Sequence, residues 1–242
     1  HRGGGRAAVA GGSVTVRRGR TVALVGQSGG GKTTAGSLIP RFWDVTAGSV
    51  TVGGMDVREM DAQALMRQVA FVFQDTRLFK QSILENIRAA RPEASREQVM
   101  EAALAAQCGD ILEKLPEGLD TVIGTKGVYL SGGECQRIAL ARAILKDAPI
   151  IVLEEASAFA DPENEYQIQK AFETLVRGKT VLMIAQRLST IQREDQIVVL
   201  EKGEVQERGC HGELLAQNGL YARMWKDYKQ AAAWKVGKEE TK

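Results

Sequence analysis

The sequence predicts an α/β fold: a parallel-sheet core, a small antiparallel β piece near the N-terminus, and a block of helices inserted in the middle. Three observations carry this. From Ile150 to Ala185 the chain reads strand, helix, strand, with a crossover long enough to make the two strands parallel. From about Ser82 to Leu145 the texture turns mainly helical. Near the N-terminus, glycine pairs and short β-branched runs alternate as they do in hairpins.

In chain order, Ser13–Val16 and Thr21–Val25 read as short strands around the turn Arg17–Arg20. Gly48–Val52 and Met55–Val57, joined by Gly53-Gly54, read as a hairpin. Ser95 and Gln98 have the spacing of a capping box, which opens an Ala-rich helix. Ile150–Leu153 is an apolar strand. Asp161-Pro162-Glu163 supplies an N-cap, a proline at the first helical position and an early acid. Ile168, Ala171, Phe172, Leu175 and Val176 then recur on one helical face, and Gly178 stops that helix. Thr180–Ala185 is the next strand. Gln196–Leu200 and Glu204–Glu207, parted by Lys202-Gly203, read as a closing hairpin. No internal repeat or low-complexity tract interrupts this plan.

Composition narrows the class. The 242 residues suit one large α/β domain or two small ones. With 44% hydrophobic and 26% charged residues, the chain can build an ordinary globular core. A net charge of +2 argues against a nucleic-acid partner, because such domains carry a clear basic excess. The three cysteines, Cys108, Cys135 and Cys210, are scattered without a CxxC pair. That disfavours a disulfide framework or a zinc site and fits a reducing compartment. No apolar run reaches the ~18 residues that would span a bilayer, and no signal peptide is visible. The first residue is His1 rather than Met, which leads us to expect a piece of a longer protein with a membrane part upstream.

Two motifs point to phosphate. Gly26-Gln27-Ser28-Gly29-Gly30-Gly31-Lys32-Thr33 fits GxxxxGK[ST], after a strand and before a helix. Glycines there let successive backbone N–H groups face phosphate oxygens, and the following helix offers its positive end. Lys32 would reach the β- and γ-phosphates and Thr33 would give its hydroxyl to Mg²⁺. Glu154 and Glu155 sit side by side at the end of a core strand. Two adjacent acids there suit a magnesium site: one holds the ion's water shell, the next orients or deprotonates a water. Leu130-Ser131-Gly132-Gly133-Glu134 is the second motif. Ser131 and Glu134 have capping-box spacing, so part of its meaning is a helix start. Two glycines within the cap suggest close approach of a ligand, hence a second anion site. Two such sites in one chain are reconciled if two chains face each other across shared nucleotides.

With these motifs the chain resembles the ATP-binding cassette of ABC transporters, in the exporter style, over essentially its whole length. The resemblance implies a P-loop NTPase core (about residues 1–78 and 146–242) with an inserted helical lobe (about 79–145). It implies ATP and Mg²⁺ as cofactors, and Gly26 through Thr33 with Thr34 as the nucleotide-binding loop. Ser131, Gly132, Gly133 and Glu134 become the signature that acts on the partner's nucleotide. Phe71-Val72-Phe73-Gln74-Asp75 resembles the Q-loop, so Gln74 is expected at the metal and the attacking water, coupling to the membrane domain. Ser157–Asp161 resembles the D-loop; Asp161 keeps its helix-capping role as an equal reading. Glu155 takes the general-base position, Glu154 a metal position through water, and residue 186 the position that steadies the γ-phosphate. The partners implied are a second ATP-binding domain, in a homo- or heterodimer, and a transmembrane domain, with the chain at the cytoplasmic face of a membrane. His211 falls in a C-terminal stretch usual in exporters and is not a catalytic candidate. Ala158 to Glu165 resembles cassettes linked to siderophore and peptide traffic.

Four positions depart from the family. Glu154 stands where an Asp is usual, Gln186 where a His is usual, and Gly124-Thr125-Lys126-Gly127 lacks the usual Glu. The aromatic that stacks on adenine would lie at or before residue 1. A carboxamide donates a hydrogen bond but carries no positive charge, so the expectation is normal ATP binding with slowed hydrolysis. A cassette that acts mainly by binding ATP is the alternative. A soluble ABC-type ATPase acting on DNA or ribosomes is a further class, but the coiled-coil insertion or basic arm it needs does not appear between Gln74 and Leu130, and the net charge is low.

Overall fold

The computed structural model describes residues 8–74, 76–124, 128–155 and 162–239. A six-stranded sheet has the order β4-β5-β6-β1-β7-β8, built from β1 (Thr21–Val25), β4 (Val69–Val72), β5 (Ile150–Glu154), β6 (Thr180–Ile184), β7 (Gln196–Glu201) and β8 (Glu204–Gly209). Its first five strands are parallel and β8 closes it antiparallel to β7. A separate hairpin pairs β2 (Thr51–Val52) with β3 (Met55–Asp56), and the Val57 N–H extends it by donating to the Val50 carbonyl at 2.9 Å.

Strands buried on both faces explain why β1, TVALV, is apolar throughout. Val22 and Leu24 point to one side, where α1 (Lys32–Leu38), α2 (Ala62–Gln68) and the hairpin pack. Ala23 and Val25 point to the other, against α8 (His211–Ala216) and α9 (Leu220–Glu239). Beside them on that second face, β4 and β5 bury Ala70, Val72, Ile151 and Leu153 under five helices. These are α3 (Ile83–Arg88), α4 (Arg96–Ala105), α5 (Gly109–Lys114), α6 (Gly132–Lys146) and α7 (Pro162–Val176).

Most predicted elements stand. The turn Arg17–Arg20 closes with a 3.0 Å bond from the Arg20 N–H to the Arg17 carbonyl, and Gly19 takes φ 71°. The Ser95–Gln98 capping box forms in both directions. Ser13–Val16 is the correction: it is not a strand. Among the described residues the chain touches the sheet just before this segment, through a bridge from Gly11 to Glu204 on the edge strand β8, and no ladder continues from it. The hairpin is also shorter than Gly48–Val57 suggested. Not anticipated were β4, α8, α9 and α2, the last of which is capped at its start by Asp61 accepting from the Ala64 N–H.

Parallel packing has one consequence for function. The C-terminal ends of β1, β4, β5 and β6 lie along the same edge of the sheet. The loops that follow them carry Gly26, Gln74, Glu155 and Gln186. Ligands of open α/β sheets gather at that edge.

Candidate functional site

Between β1 and α1 the chain wraps a cavity of about 390 Å³, lined by Gly26, Ser28 through Thr34, Ala8, Glu154, Ile184 and Gln186. The loop could be built from few other residues. A Cβ on Gly26 (φ 146°) would lie 2.0 Å from the Leu200 carbonyl oxygen, and one on Gly31 (φ 92°) 2.3 Å from that of Ala8. Gly30 fits with a 3.1 Å bond from its N–H to the Gln27 carbonyl. The Lys32 ammonium donates to the carbonyls of Gly26 (2.8 Å) and Gln27 (3.0 Å), which holds it across the loop. Half-burial pushes its pKa below the ordinary lysine value, while the Glu154 carboxylate pulls the other way. The start of α1 has no side-chain cap, so no side chain occupies its first amides.

The two carboxylates are compensated separately. The Thr33 hydroxyl donates to Glu154 Oε1 at 2.6 Å, although β6 lies between β1 and β5 in the sheet. Glu155 Oε2 accepts from the backbone N–H groups of Gln186 (3.0 Å) and Arg187 (3.1 Å). Like charges at neighbouring positions are tolerated because each carboxylate has its own donors. Gln186 and Gln74, 112 residues apart, bond through their side-chain amides: Gln186 Nε2 donates to Gln74 Oε1, and Gln74 Nε2 to Gln186 Oε1 at 3.4 Å. Lys32, Thr33, Glu154 and Gln186 therefore share one cavity, with Gln74 and Glu155 held against it through Gln186. The donors near Thr33 and Glu154 are oxygens alone, a set that suits a hard cation.

Ser131 through Glu134 lie elsewhere. None of them lines the cavity. They start α6 with a capping box: the Ser131 N–H donates to Glu134 Oε2 (2.7 Å) and the Glu134 N–H to Ser131 Oγ (3.2 Å). Ser131 and Gly132 are exposed. Gly133 is buried, and a Cβ there would meet Asn164 at 3.0 Å. At Gly133 the missing side chain thus also serves the packing of α6 on α7.

Sequence reasoning missed Arg137. It is 1% exposed, and its guanidinium donates to the Gln107 carbonyl, to both Asp110 oxygens (2.6 and 3.1 Å) and to Asn164 Oδ1 (3.0 Å). It ties α5, α6 and α7 behind the exposed Ser131–Gly132 step. A charged residue on a helix gives no sign in the sequence that it is buried. It also missed Ala8, whose carbonyl closes on Gly31. His211 packs at the C-terminal helices: its Nδ1 lies 2.7 Å from the Tyr221 hydroxyl, and its ring packs edge-on to Trp225. Asp161, the rest of the D-loop from Ser157, Asp75 and Thr125–Gly127 lie outside the described residues.

The ABC transporter family model matches residues 9–158. The chain is 50% identical over 212 residues to the ATP-dependent lipid A-core flippase of Syntrophus aciditrophicus, covering 88% of this chain and 35% of that protein. It is 52% identical over 213 residues to the mycobactin import ATP-binding/permease protein IrtA of Mycobacterium tuberculosis, covering 88% of this chain and 25% of that protein. Among solved structures, a bacterial Atm1-family ABC exporter with ATP bound superposes with a TM-score of 0.86 at 39% identity, over 94% of this chain and 40% of the other. The chain thus spans about a third of the length of such relatives. Family model, relatives and fold agree with the phosphate loop and its sheet edge: the chain belongs to the ABC transporter family.

Proposed function

We propose that this chain is the ATP-binding and ATP-hydrolysing domain that powers a membrane exporter, acting with a second such domain across shared nucleotides. The observation that carries the reading is the single cavity that gathers Lys32, Thr33, Glu154 and Gln186, with Glu155 fixed beside it. The loop glycines and Lys32 hold the phosphates. Thr33 and Glu154 fit Mg²⁺, which would supply charge neutralisation across the phosphate oxygens. Glu155, aimed by two backbone amides through Oε2, keeps Oε1 for a water and takes its proton as general base. Gln186 steadies the γ-phosphate as a hydrogen-bond donor.

The exposed Ser131–Gly132 step, remote from this chain's own cavity, is suited to a nucleotide held by the other domain. The relatives named a flippase and an ATP-binding/permease protein are longer than this chain, so the transmembrane part and cargo selection belong to the remainder. No helix among the described residues is long and apolar enough to cross a membrane, which fits a domain seated at its cytoplasmic face. A second cavity of about 440 Å³, against β4 and lined by Phe71, Phe73, Arg77, Arg142 and Lys146, is the face we assign to docking of that part.

Sedimentation velocity tests the pairing. With ATP, magnesium and Glu155→Gln to hold the nucleotide, the protein should pair, and Ser131→Arg should abolish pairing while each copy still binds ATP. A protein that stays single with ATP bound would overturn the shared-nucleotide reading. A slowed enzyme is the second reading, favoured by the amide at 186. Losing one charge-stabilising contact costs ~10²–10³ in rate. Gln186→His should therefore raise turnover; no gain would end the slowed-enzyme account.

A further inference from the structure

Gly133 and Arg137 stand one turn apart, on the same face of α6. Asn164, in the first turn of α7, meets that face at both points. A Cβ on Gly133 would lie 3.0 Å from the Asn164 Cβ and Cγ, so the absent side chain lets α7 come up against the start of α6. One turn further on, Arg137 Nη2 donates to Asn164 Oδ1 at 3.0 Å. The exposed Ser131–Gly132 step is thus backed twice by one residue of the neighbouring helix.

The guanidinium is held from the other side as well. Nη1 donates to the Gln107 carbonyl, just after α4, and to Asp110 Oδ1 on α5 at 2.6 Å. Nη2 reaches Asp110 Oδ2 at 3.1 Å. Acceptors on three separate segments fix a planar fork in direction as well as in place. Stability alone does not call for a charge at this position. Nε is buried with no hydrogen-bond partner among the described residues, a cost that the other bonds must offset. An apolar side chain of similar volume commonly fills such a site at equal or lower cost, but it sets no direction. What the arginine adds is register: it fixes how the start of α6 stands relative to α5 and α7.

We infer that Arg137, acting through Asn164, is a positioning residue for the Ser131–Gly132 step, setting the height and rotation at which the first amides of α6 meet a nucleotide held by the other domain. The inference rests on the proposed function for that nucleotide and for the pairing; the junction itself does not. Arg137 lines neither of the cavities described above, so its loss leaves the chain's own phosphate loop intact. The lesion is felt across the pair instead. Each copy still binds ATP, but it presents a displaced step to its partner. Asn164 makes a further interaction besides these, so its loss and that of Arg137 need not be equal in size.

Sedimentation velocity in a Glu155→Gln background, with ATP and magnesium, reads the pairing constant. Arg137→Met and Asn164→Ala should each weaken pairing roughly 10-fold or more, the worth of a hydrogen bond to a charged group. Asn164→Ala keeps the buried charge and its Asp110 partner, so it tests the bond where Arg137→Met fails to fold. The affinity of single copies for ATP should be unchanged in both. A second readout separates positioning from mere support of the fold. With Glu155 intact, Arg137→Met is mixed with Lys32→Ala, which keeps a sound step but a damaged phosphate loop. A mixed pair then holds one composite site with a good loop from one copy and a good step from the other. The mixture should turn over ATP faster than the sum of the two proteins alone. Pairing as tight as in the Glu155→Gln protein, or a mixture no faster than that sum, would overturn the inference alone. If the Glu155→Gln protein binds ATP and never pairs, the shared-nucleotide reading fails and takes the inference with it.

Discussion

At Gly26 the backbone has φ 146° and no room: an added methyl carbon would sit 2.0 Å from a carbonyl oxygen. Gly29 also has positive φ, at 77°, but nothing lies within 4 Å of where a Cβ would go. The two alanine variants should therefore separate. Gly29→Ala carries only the left-handed backbone cost, about 1–2 kcal/mol. Gly26→Ala adds a collision that only movement of β7's end could relieve. ATP affinity by calorimetry should drop far more for Gly26→Ala; equal losses would contradict the geometry. The cysteines allow a second residue-level expectation. Burial pushes the Cys108 thiol up to about 12, and Cys135, half-buried, is also raised. Cys210 is exposed. Since the thiolate is the reactive form, a thiol reagent at pH 8 should modify Cys210 first and Cys108 only on unfolding. Early labelling of Cys108 would show that the α4–α5 region opens more readily than its packing implies.

At the scale of elements, α6 shows what the sequence could and could not tell. Its start was legible, because Ser131 and Glu134, three positions apart, state a capping box outright. Its buried Arg137 was not, because what buries it is α5 and α7, brought together only by the fold. The same holds for the strands. Apolar runs such as TVALV and IIVL declared themselves, whereas Ser13–Val16 has β-branched residues yet pairs with no strand, and propensity alone could not show that. The phosphate loop was legible for a local reason, glycines at fixed spacing. The Gln74–Gln186 pair was not, because it joins residues 112 apart. The Arg137 junction also makes an energetic prediction. Asp110→Ala leaves a buried guanidinium short of its counter-charge and should cost about 2–3 kcal/mol of stability. Arg137→Met removes the buried charge itself and should cost less. Burial alone would raise the Asp110 pKa, but the Arg137 hydrogen bonds and charge outweigh it and hold the carboxyl below its usual value. A depressed carboxyl stabilises the fold above its unfolded pKa of about 3.9, and that stability is lost as pH falls through the lower folded value. The gap in urea midpoint between the unaltered protein and Asp110→Asn should accordingly be present at neutral pH and shrink below about pH 4. A gap that is constant with pH would rule out the ion pair as its source.

Over the whole molecule, function follows from strand direction. Five parallel strands send their C-terminal ends to one edge, so residues from far-apart segments meet there without any one segment carrying the whole site. That edge faces the phosphate cavity, while β4 at the side of the sheet and the residues after it, Phe73 and Thr76, line the second cavity. The Gln74–Gln186 amide pair lies at the phosphate cavity, and the chain just beyond Gln74 lines the second. The claim beneath this is that Glu155 activates water on a nucleotide held by Lys32 and Thr33. The direct measurement is steady-state ATP turnover with magnesium for the unaltered protein and Glu155→Gln, with ATP affinity measured on both. We expect the unaltered protein to turn over, and the Gln variant to lose ~10²-fold or more in rate while its affinity stays within a few-fold. Equal turnover by the two proteins would contradict the account.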